Sequence, residues 1–552
     1  MDDTTIDPGP GSAALAGDPA TLAGSGSHPG STGRAIAQAG LIVTTAFLLS
    51  RVLGYVRYVV IAAAVPVGPQ LDAFFAAFRV PDFLFQLVAA GALASALVPV
   101  LAALFATDRE DRAWLVVSTV STLMLGSLLV LSAAGIVMAP ILVPPITPGF
   151  DAEELARTVD LTRIMLLSPL FLAAGALATS VLNAKGRFAV AAAAPLVYNV
   201  AIIGGAVVLV PVFGVSGLAL GVVVGAIGHF VIQVPLMVRL GARVRPSVDI
   251  RDEEARHALL LMAPRALGLG MTQVVFLVMT SLASSLPEGS ISIFNFAFAL
   301  LQIPIGVIGV PLGVVLLPSL SREVAIGGTE VFRRLLVRGL SILSYTMIVT
   351  AGLGIVVAGD VVRLLFDVGS VGDAALEQTG TTLVVFLVGL TAHSLIAVLA
   401  RAFYARQDTA TPVLAALVAV VVNVVVGVAL VGPLGLTGLA AAIAVAAWLE
   451  TGALVVLLRR QVPGLGLGHV ATVMIKSVVA AGLGAATAWA VESALVGAWG
   501  ADAGHVRVFV RAAVATGAGG AVVVAVSMAL RIEELRTITS FATDIARRRR
   551  PA

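Results

Sequence analysis

An all-α chain that crosses a membrane many times is what the sequence predicts, on three observations. Hydrophobic residues make up 59% of its 552 positions and charged residues 12%, against about 25% charged in an average soluble domain. Apolar runs of roughly 20 residues, long enough to span a bilayer as helix, succeed one another along almost the whole length. Basic residues fall between alternate runs rather than evenly. Cysteine is absent, which removes disulfides and thiolate chemistry.

Taken in order, residues 1–34 are rich in Gly, Ser, Pro, Thr and Asp without apolar periodicity, and read as a disordered tail. The start MDDTTIDPGPG is acidic and broken by proline, unlike a cleaved signal peptide. The first span is therefore expected to serve as its own insertion signal. Spans are expected near 36–65, 71–105, 113–140, 155–182, 188–211 and 214–238. They continue near 258–286, 290–319, 332–358, 379–404, 410–432, 435–458, 471–495 and 506–530, about fourteen in all. The second is interrupted at Pro81-Asp82, which predicts a broken helix facing protein or water rather than lipid.

With the N-terminus inside, the inner loops collect Arg109, Arg112, Lys185, Arg187, Arg239, Arg243, Arg245, Arg251 and Arg256. Further along they add Arg322, Arg333, Arg334, Arg338, Arg401, Arg406, Arg459 and Arg460, while the outer loops hold little beyond Arg157, Arg363 and Arg507. That asymmetry predicts a multi-pass cell-membrane protein with both termini cytoplasmic. The charged loop 239–256 divides the chain into six spans and eight. The closing run Arg547–Arg550 reads as an ordinary positive-inside tail, with binding to anionic lipid heads as the alternative.

The stretch Ser50–Pro99 is apolar enough for a bilayer yet carries Arg51, Arg57, Asp72, Arg79 and Asp82. An arginine at mid-membrane costs roughly 2.5–3.5 kcal/mol on insertion scales, so two within two turns call for a polar face. At about 100° per residue, Ser50, Arg51, Gly54, Arg57 and Tyr58 share a sector of about 120°. The functional reading is a helix lining a hydrated cavity that receives an anion; the plainer one is snorkelling toward a membrane surface. Asp72, behind Gly68-Pro69, is either a helix cap or a partner for Arg51, Arg57 or Arg79. Arg265 follows Pro264 about two turns into its span and stands between a ligand contact and an interfacial anchor. Asn199, Gln273, Asn295 and Gln302 are polar-cavity candidates, with bonding between helices as the competing role. No nucleotide fingerprint, metal-spaced histidine pair or catalytic constellation occurs. No cofactor, resident metal, nucleic-acid partner or covalent chemistry is expected, and transport would run on an ion or the membrane potential.

SRVLGYVR (50–57), GPQLDAFFAAFRVPDFL (68–84) and GALASALVPV (91–100) resemble the opening of the MurJ/MviN family of lipid II flippases, part of the MOP exporter superfamily. The likeness recurs at LNAKGRFAVAAAAPLVYN (182–199), LLQIPIGVIGVPLGVVLLPSLSR (300–322) and RAFYARQDTATP (401–412). The resemblance implies two pseudo-symmetric six-helix lobes, 35–240 and 258–460, joined by the loop 241–257. A helix pair at 461–530 would form a groove for a lipid tail, ahead of a basic cytoplasmic tail at 531–552. It also implies alternating access around a central cationic cavity. The cargo would be the undecaprenyl-diphosphate-linked peptidoglycan precursor lipid II, carried from the cytoplasmic to the outer leaflet.

By motif position Ser50, Arg51, Arg57 and Asp72 match cavity residues of that family. Arginine suits a diphosphate because its fork donates two hydrogen bonds and stays charged. Gly54, Pro81, Gly91 and Pro304 are expected helix-break or gating positions. The chain also departs from the pattern: Tyr58 and Ala90 stand where acids are usual, Phe85 and Gln86 replace a basic pair, and Ala299 replaces a cavity arginine. Arg79 and Arg265 are the expected substitutes. Asn423 matches a sodium-ligand position, while Gly427 stands where an acid belongs. Expected partners are the polyprenyl-diphosphate lipid, membrane lipids and cell-wall synthesis proteins. The reduced arginine set leaves an exporter of another lipid-linked oligosaccharide or small amphiphile as one alternative. A non-transporting scaffold that docks cell-wall enzymes through 239–256 and 547–550 is the other.

Overall fold

The computed structural model describes residues 29–540 apart from 89–91, 250, 370, 501–503 and 538, with side chains from 45 onward except 47, 92, 94–95, 261, 263–269 and 271–272. The described chain is a helical bundle. The first half contains α1 (Pro29–Ala64), α2 (Pro69–Ala77), α3 (Arg79–Val88), α4 (Ala92–Ala106), α5 (Glu110–Leu142), α6 (Ala152–Met165), α7 (Ser168–Ala184), α8 (Phe188–Gly204), α9 (Val210–Phe213), α10 (Ser216–Val231) and α11 (Val234–Arg239). The second contains α12 (Glu253–Ser284), α13 (Ser290–Pro304), α14 (Val310–Ala325), α15 (Thr329–Phe366), α16 (Asp373–Ala405) and α17 (Ala410–Gln461). The helices α18 (Leu467–Trp499) and α19 (His505–Ala529) close the order.

Among the described residues, ten helical segments are long and apolar enough to cross a membrane. The 52-residue α17 counts for two: at about 1.5 Å per residue it would reach about 78 Å, far beyond a bilayer core of about 30 Å. It turns back at Gly435, whose φ of 56° favours glycine. With α1, the α2–α4 segment and α12, fourteen transverse segments result.

Three expected boundaries differ. Helix α1 begins at Pro29, within the segment read as a disordered tail, because proline's fixed φ suits a first helical turn. The break in the second span falls at Phe78, three residues before Pro81. The Pro81 ring clashes with the carbonyl four residues earlier, at Ala77, where α2 ends. The C-terminal tail also begins packed: Ile532 and Leu535 are buried in a cluster with Tyr345 and Val473. Residues 541–552, with Arg547–Arg550, lie outside the described residues.

The two halves repeat at a spacing of 221 residues, which the letters alone conceal. Gly214 and Gly435 turn with φ of 58° and 56°. Three residues on, a Cβ at Gly217 would overlap the Leu209 carbonyl, and one at Gly438 would overlap that of Leu430. At the opposite end of the bundle, Arg187 N–H donates to Leu182 O at 2.8 Å and Asp408 N–H to Phe403 O at 3.0 Å. Gly186 and Gln407 hold positive φ in those two turns. Equivalent hairpins at both ends are what a duplicated six-span unit requires.

Helix α12 belongs to both halves. Ala255, Ala258 and Met262 are buried with Leu93, Leu97 and Trp114 of the first half. Further along, Met279 and Leu282 pack on Gly427 of α17. An ionic clasp fixes its start. Asp252 caps Ala255 N–H at 2.9 Å, Arg112 reaches Asp252 and Glu254 at 3.1 and 3.0 Å, and Arg109 reaches Glu254 at 2.8 Å. Lys185–Glu110 and Arg243–Asp111 pairs at 2.7 and 3.0 Å extend this basic end.

Hydrogen bonding from Arg112, with Arg109 adding, holds the Glu254 carboxyl down to about 2 from an ordinary 4.5. A carboxyl with a depressed folded value stabilises above its unfolded value, and that contribution is lost as pH falls through the folded one. Thermal stability in detergent should therefore fall between about pH 4.5 and pH 2, and Glu254→Gln should flatten that limb. An unchanged acid limb in the variant would remove the clasp from the account.

Candidate functional site

The two halves also meet at the end opposite the basic clasp. Asp72, buried in the first turn of α2, accepts from Gly289 N–H at 2.7 Å and from Ser292 N–H at 2.8 Å, and Ser292 Oγ donates to it as well. It is a helix cap, but for α13 in the other half of the molecule. Of the two readings of Asp72, these hydrogen bonds support the cap. Four orphan N–H groups open any helix, and Asp72 takes up two of those at the start of α13. An aromatic row continues the seal: Tyr58–Phe75 at 6.2 Å, Phe75–Phe296 at 5.8 Å and Phe296–Phe366 at 4.6 Å between ring centres. Ser281 Oγ donates to Pro145 O at 3.1 Å, and Gly149 N–H to Ser284 Oγ at 3.3 Å.

Arg79 is spent on the same junction. Its Nε donates to Thr280 Oγ1 at 2.9 Å and its Nη2 to Asn295 Oδ1 at 2.7 Å, with Phe276 5.2 Å from its Cζ. A buried guanidinium needs such partners, and with them it ties α3 to α12 and α13. The structure therefore offers no support for Arg79 as a stand-in headgroup ligand.

Deeper in the first half lies a cavity of about 440 Å³. Arg57 enters it from α1, Asp82 and Phe85 from α3, Ser168 and Thr179 from α7, Tyr198 from α8 and His229 from α10. Arg57 stacks beside Tyr58, its Cζ 5.2 Å from the ring centre. One guanidinium with one carboxylate and several neutral donors makes a site for a polar, anionic group. Sequence reasoning missed Tyr198, Thr179 and His229. The available signal was Gly175, since a Cβ there would overlap His229 Nδ1.

Arg51 does not share that wall. It stands beside Tyr55, one turn on in α1, and lies against Gly306 in the second half. Ser50 is half-buried beside it, and a Cβ at Gly54 would meet open space. Pro304 ends α13 ahead of a π-helical turn, Ile305–Gly309, and the backbone keeps helical angles on either side of that turn, so the helix changes its winding there without breaking. Gly91 and Ala90 lie outside the described residues. Arg265 falls within α12, and its side chain is outside them too.

The amides sort apart. Asn295 bridges Arg79 and Ile291 O. Asn199 is buried and donates to Pro195 O of its own helix at 3.0 Å, a local bond rather than a cavity contact. Gln273 is half-buried and Gln302 exposed. Asn423 is buried with its Oδ1 unpartnered. One turn on, the space beside Gly427 is filled by Met279, Leu282 and Ala442. Thioether and methyl groups do not suit a sodium ion, which takes oxygen ligands, and among the described residues no cluster of three His, Cys, Asp or Glu occurs. The residues present do not fit a sodium cage.

The last two helices are pinned to α15. Arg511 of α19 forms a buried ion pair with Asp360, its Nε 3.0 Å from Oδ2. Tyr345 meets Ser527 at 3.1 Å, and Lys476 donates to Leu530 O at 2.9 Å.

The model of the family described as "Lipid II flippase MurJ" matches residues 61–506. A lipid II flippase MurJ of Burkholderia cenocepacia is 32% identical over 429 residues, 76% of this chain and 83% of that one. Among solved structures, an inward closed lipid II flippase MurJ aligns with a TM-score of 0.74 at 20% identity, over 89% of this chain and 99% of the other. An inward-facing multidrug-resistance MATE transporter of the MOP superfamily aligns at 0.62 and 14% identity, over 77% and 98%. On the extent of the sequence matches, the chain belongs to the lipid II flippase MurJ family.

Proposed function

We propose that this chain carries lipid II, a polyprenyl-diphosphate-linked cell-wall precursor, from the cytoplasmic to the outer leaflet by alternating access. The observation that carries the reading is Arg57 in a polar cavity, behind a seal at the end opposite the basic clasp. The positive-inside rule puts the basic end, and both termini, in the cytoplasm. A headgroup then enters from inside while Asp72 and the aromatic row hold the outer side shut. Opening the outer side requires Asp72 to leave the start of α13. No bond is made or broken in that cycle, so the activity is transport rather than catalysis.

A cleft of about 720 Å³ between α15, α16, α17 and α18 supports a path for the lipid tail. Leu340, Leu395, Leu399, Val455 and Val470 line it, with Arg459 at its edge. Complementation of a flippase-depleted bacterium tests the reading: wild type at normal membrane abundance should restore growth and wall synthesis, and failure would sink the assignment. A second reading, an exporter of another lipid-linked oligosaccharide, is favoured by the commitment of Arg79 to Thr280 and Asn295.

The seal yields its own expectation. Hydrogen bonds to a charged group contribute about 1.5–3 kcal/mol each, so losing one such bond's worth shifts the closed–open balance by roughly ten- to a hundredfold. The chain contains no cysteine, so Ala299→Cys gives a single reporter behind the aromatic row. Adding Asp72→Ala should raise its labelling by an impermeant maleimide applied from outside. Equal labelling in both backgrounds would show that Asp72 does not hold the seal.

A further inference from the structure

We infer that Gly306 is a positioning residue for Arg51, and that its bare backbone turns the two arginines of α1 into a clamp spanning both halves of the molecule. The inference rests on the reading of Arg51 as a headgroup contact. Arg51 and Arg57 are six residues apart, which at about 100° per residue sets them about 120° apart around α1. Arg57 accordingly enters the first-half cavity. Arg51 instead lies across the junction of α13 and α14. Its Nη1 occupies the space a Cβ at Gly306 would take, and its Cζ is 2.8 Å from that position.

The local backbone suits this seat. Gly306 is the second residue of the π-helical turn Ile305–Gly309 that follows Pro304, and single π turns recur where a helix is adapted to a functional contact. Two helical turns further on, the arrangement repeats from the other side. A Cβ at Gly313 would sit 2.6 Å from Nη1 of Arg401, which reaches in from α16 and donates to Ala397 O at 2.6 Å. The continuous helical stretch Ser290–Ala325, whose start Asp72 caps, thus presents two glycine seats to two guanidinium groups, one from each half.

A methyl group at 306 meets the tip of a flexible side chain rather than backbone, so the arginine must swing away while the helices stay. What is lost is the alignment of the planar fork, on which two-point recognition of a phosphate depends.

The test is a double-mutant cycle on the full-length protein in lipid nanodiscs, with lipid II as the probe. Gly452→Ala, where a Cβ meets nothing within 4 Å, serves as the control for replacing a helix glycine. Gly306→Ala is expected to weaken lipid II binding about tenfold, and to add nothing in an Arg51→Ala background. Additive losses, or undiminished binding by an abundant Gly306→Ala protein, overturn the inference. Should Gly306→Ala fail to accumulate, adding Arg51→Ala is expected to restore accumulation. Failure of that rescue assigns the glycine to helix packing and overturns the inference as well. Absence of lipid II binding by the wild type is a separate result: it defeats the functional reading and takes the inference down with it.

Discussion

Arg57→Ala should abolish rescue of a flippase-depleted bacterium while the protein still reaches the membrane. The guanidinium is half-buried beside Tyr58 and enters a cavity whose other charged wall residue is Asp82. A diphosphate held there takes two charge-assisted hydrogen bonds from one fork, each contributing about 1.5–3 kcal/mol. Losing both lowers headgroup affinity by about 100-fold or more. Arg57→Lys keeps the charge and loses the fork, so partial rescue is the expected intermediate. The check is growth together with the share of lipid II that reaches the outer leaflet, at matched membrane abundance. Normal growth with Arg57→Ala would move the headgroup site elsewhere.

Much of this fold is legible in the sequence because a bilayer leaves few options. Backbone groups in hydrocarbon must be satisfied within helices, so run length sets the number of the spans. Pro81 announced a break, and the structure shifts it only to the carbonyl that the proline ring excludes. The site was less legible because charge identifies a residue as constrained without naming its partner. Asp72 and Arg79 lie near Arg51 and Arg57 in sequence, yet both are committed to α12 and α13, more than 200 positions away. Helical angle separates Arg51 from Arg57, and Gly306 decides where Arg51 comes to rest. The repeat was hidden for a similar reason. It survives in turn geometry at Gly214 and Gly435 rather than in side chains a reader can match.

The Asp360–Arg511 pair predicts a large effect on stability, and no motif pointed to it. Both side chains are almost fully buried, at 3% and 5% exposure. The pair joins α15 to α19 close to where His505 meets Asp367 O at 3.0 Å. Removing one partner of a buried pair leaves an uncompensated charge and costs about 3–5 kcal/mol. Asp360→Ala and Arg511→Ala should each lower the melting temperature in detergent sharply. Asp360→Leu combined with Arg511→Met should recover most of the loss, because a well-packed apolar pair often matches a buried ion pair in stability. If the loss is electrostatic, the double variant stands above both single ones. Were the double variant no better, packing between α15 and α19, not charge, would be holding the last two helices against the second half. The cleft lined by α15–α18 would then depend on apolar contacts such as Ala488 and Ala515 with Val357.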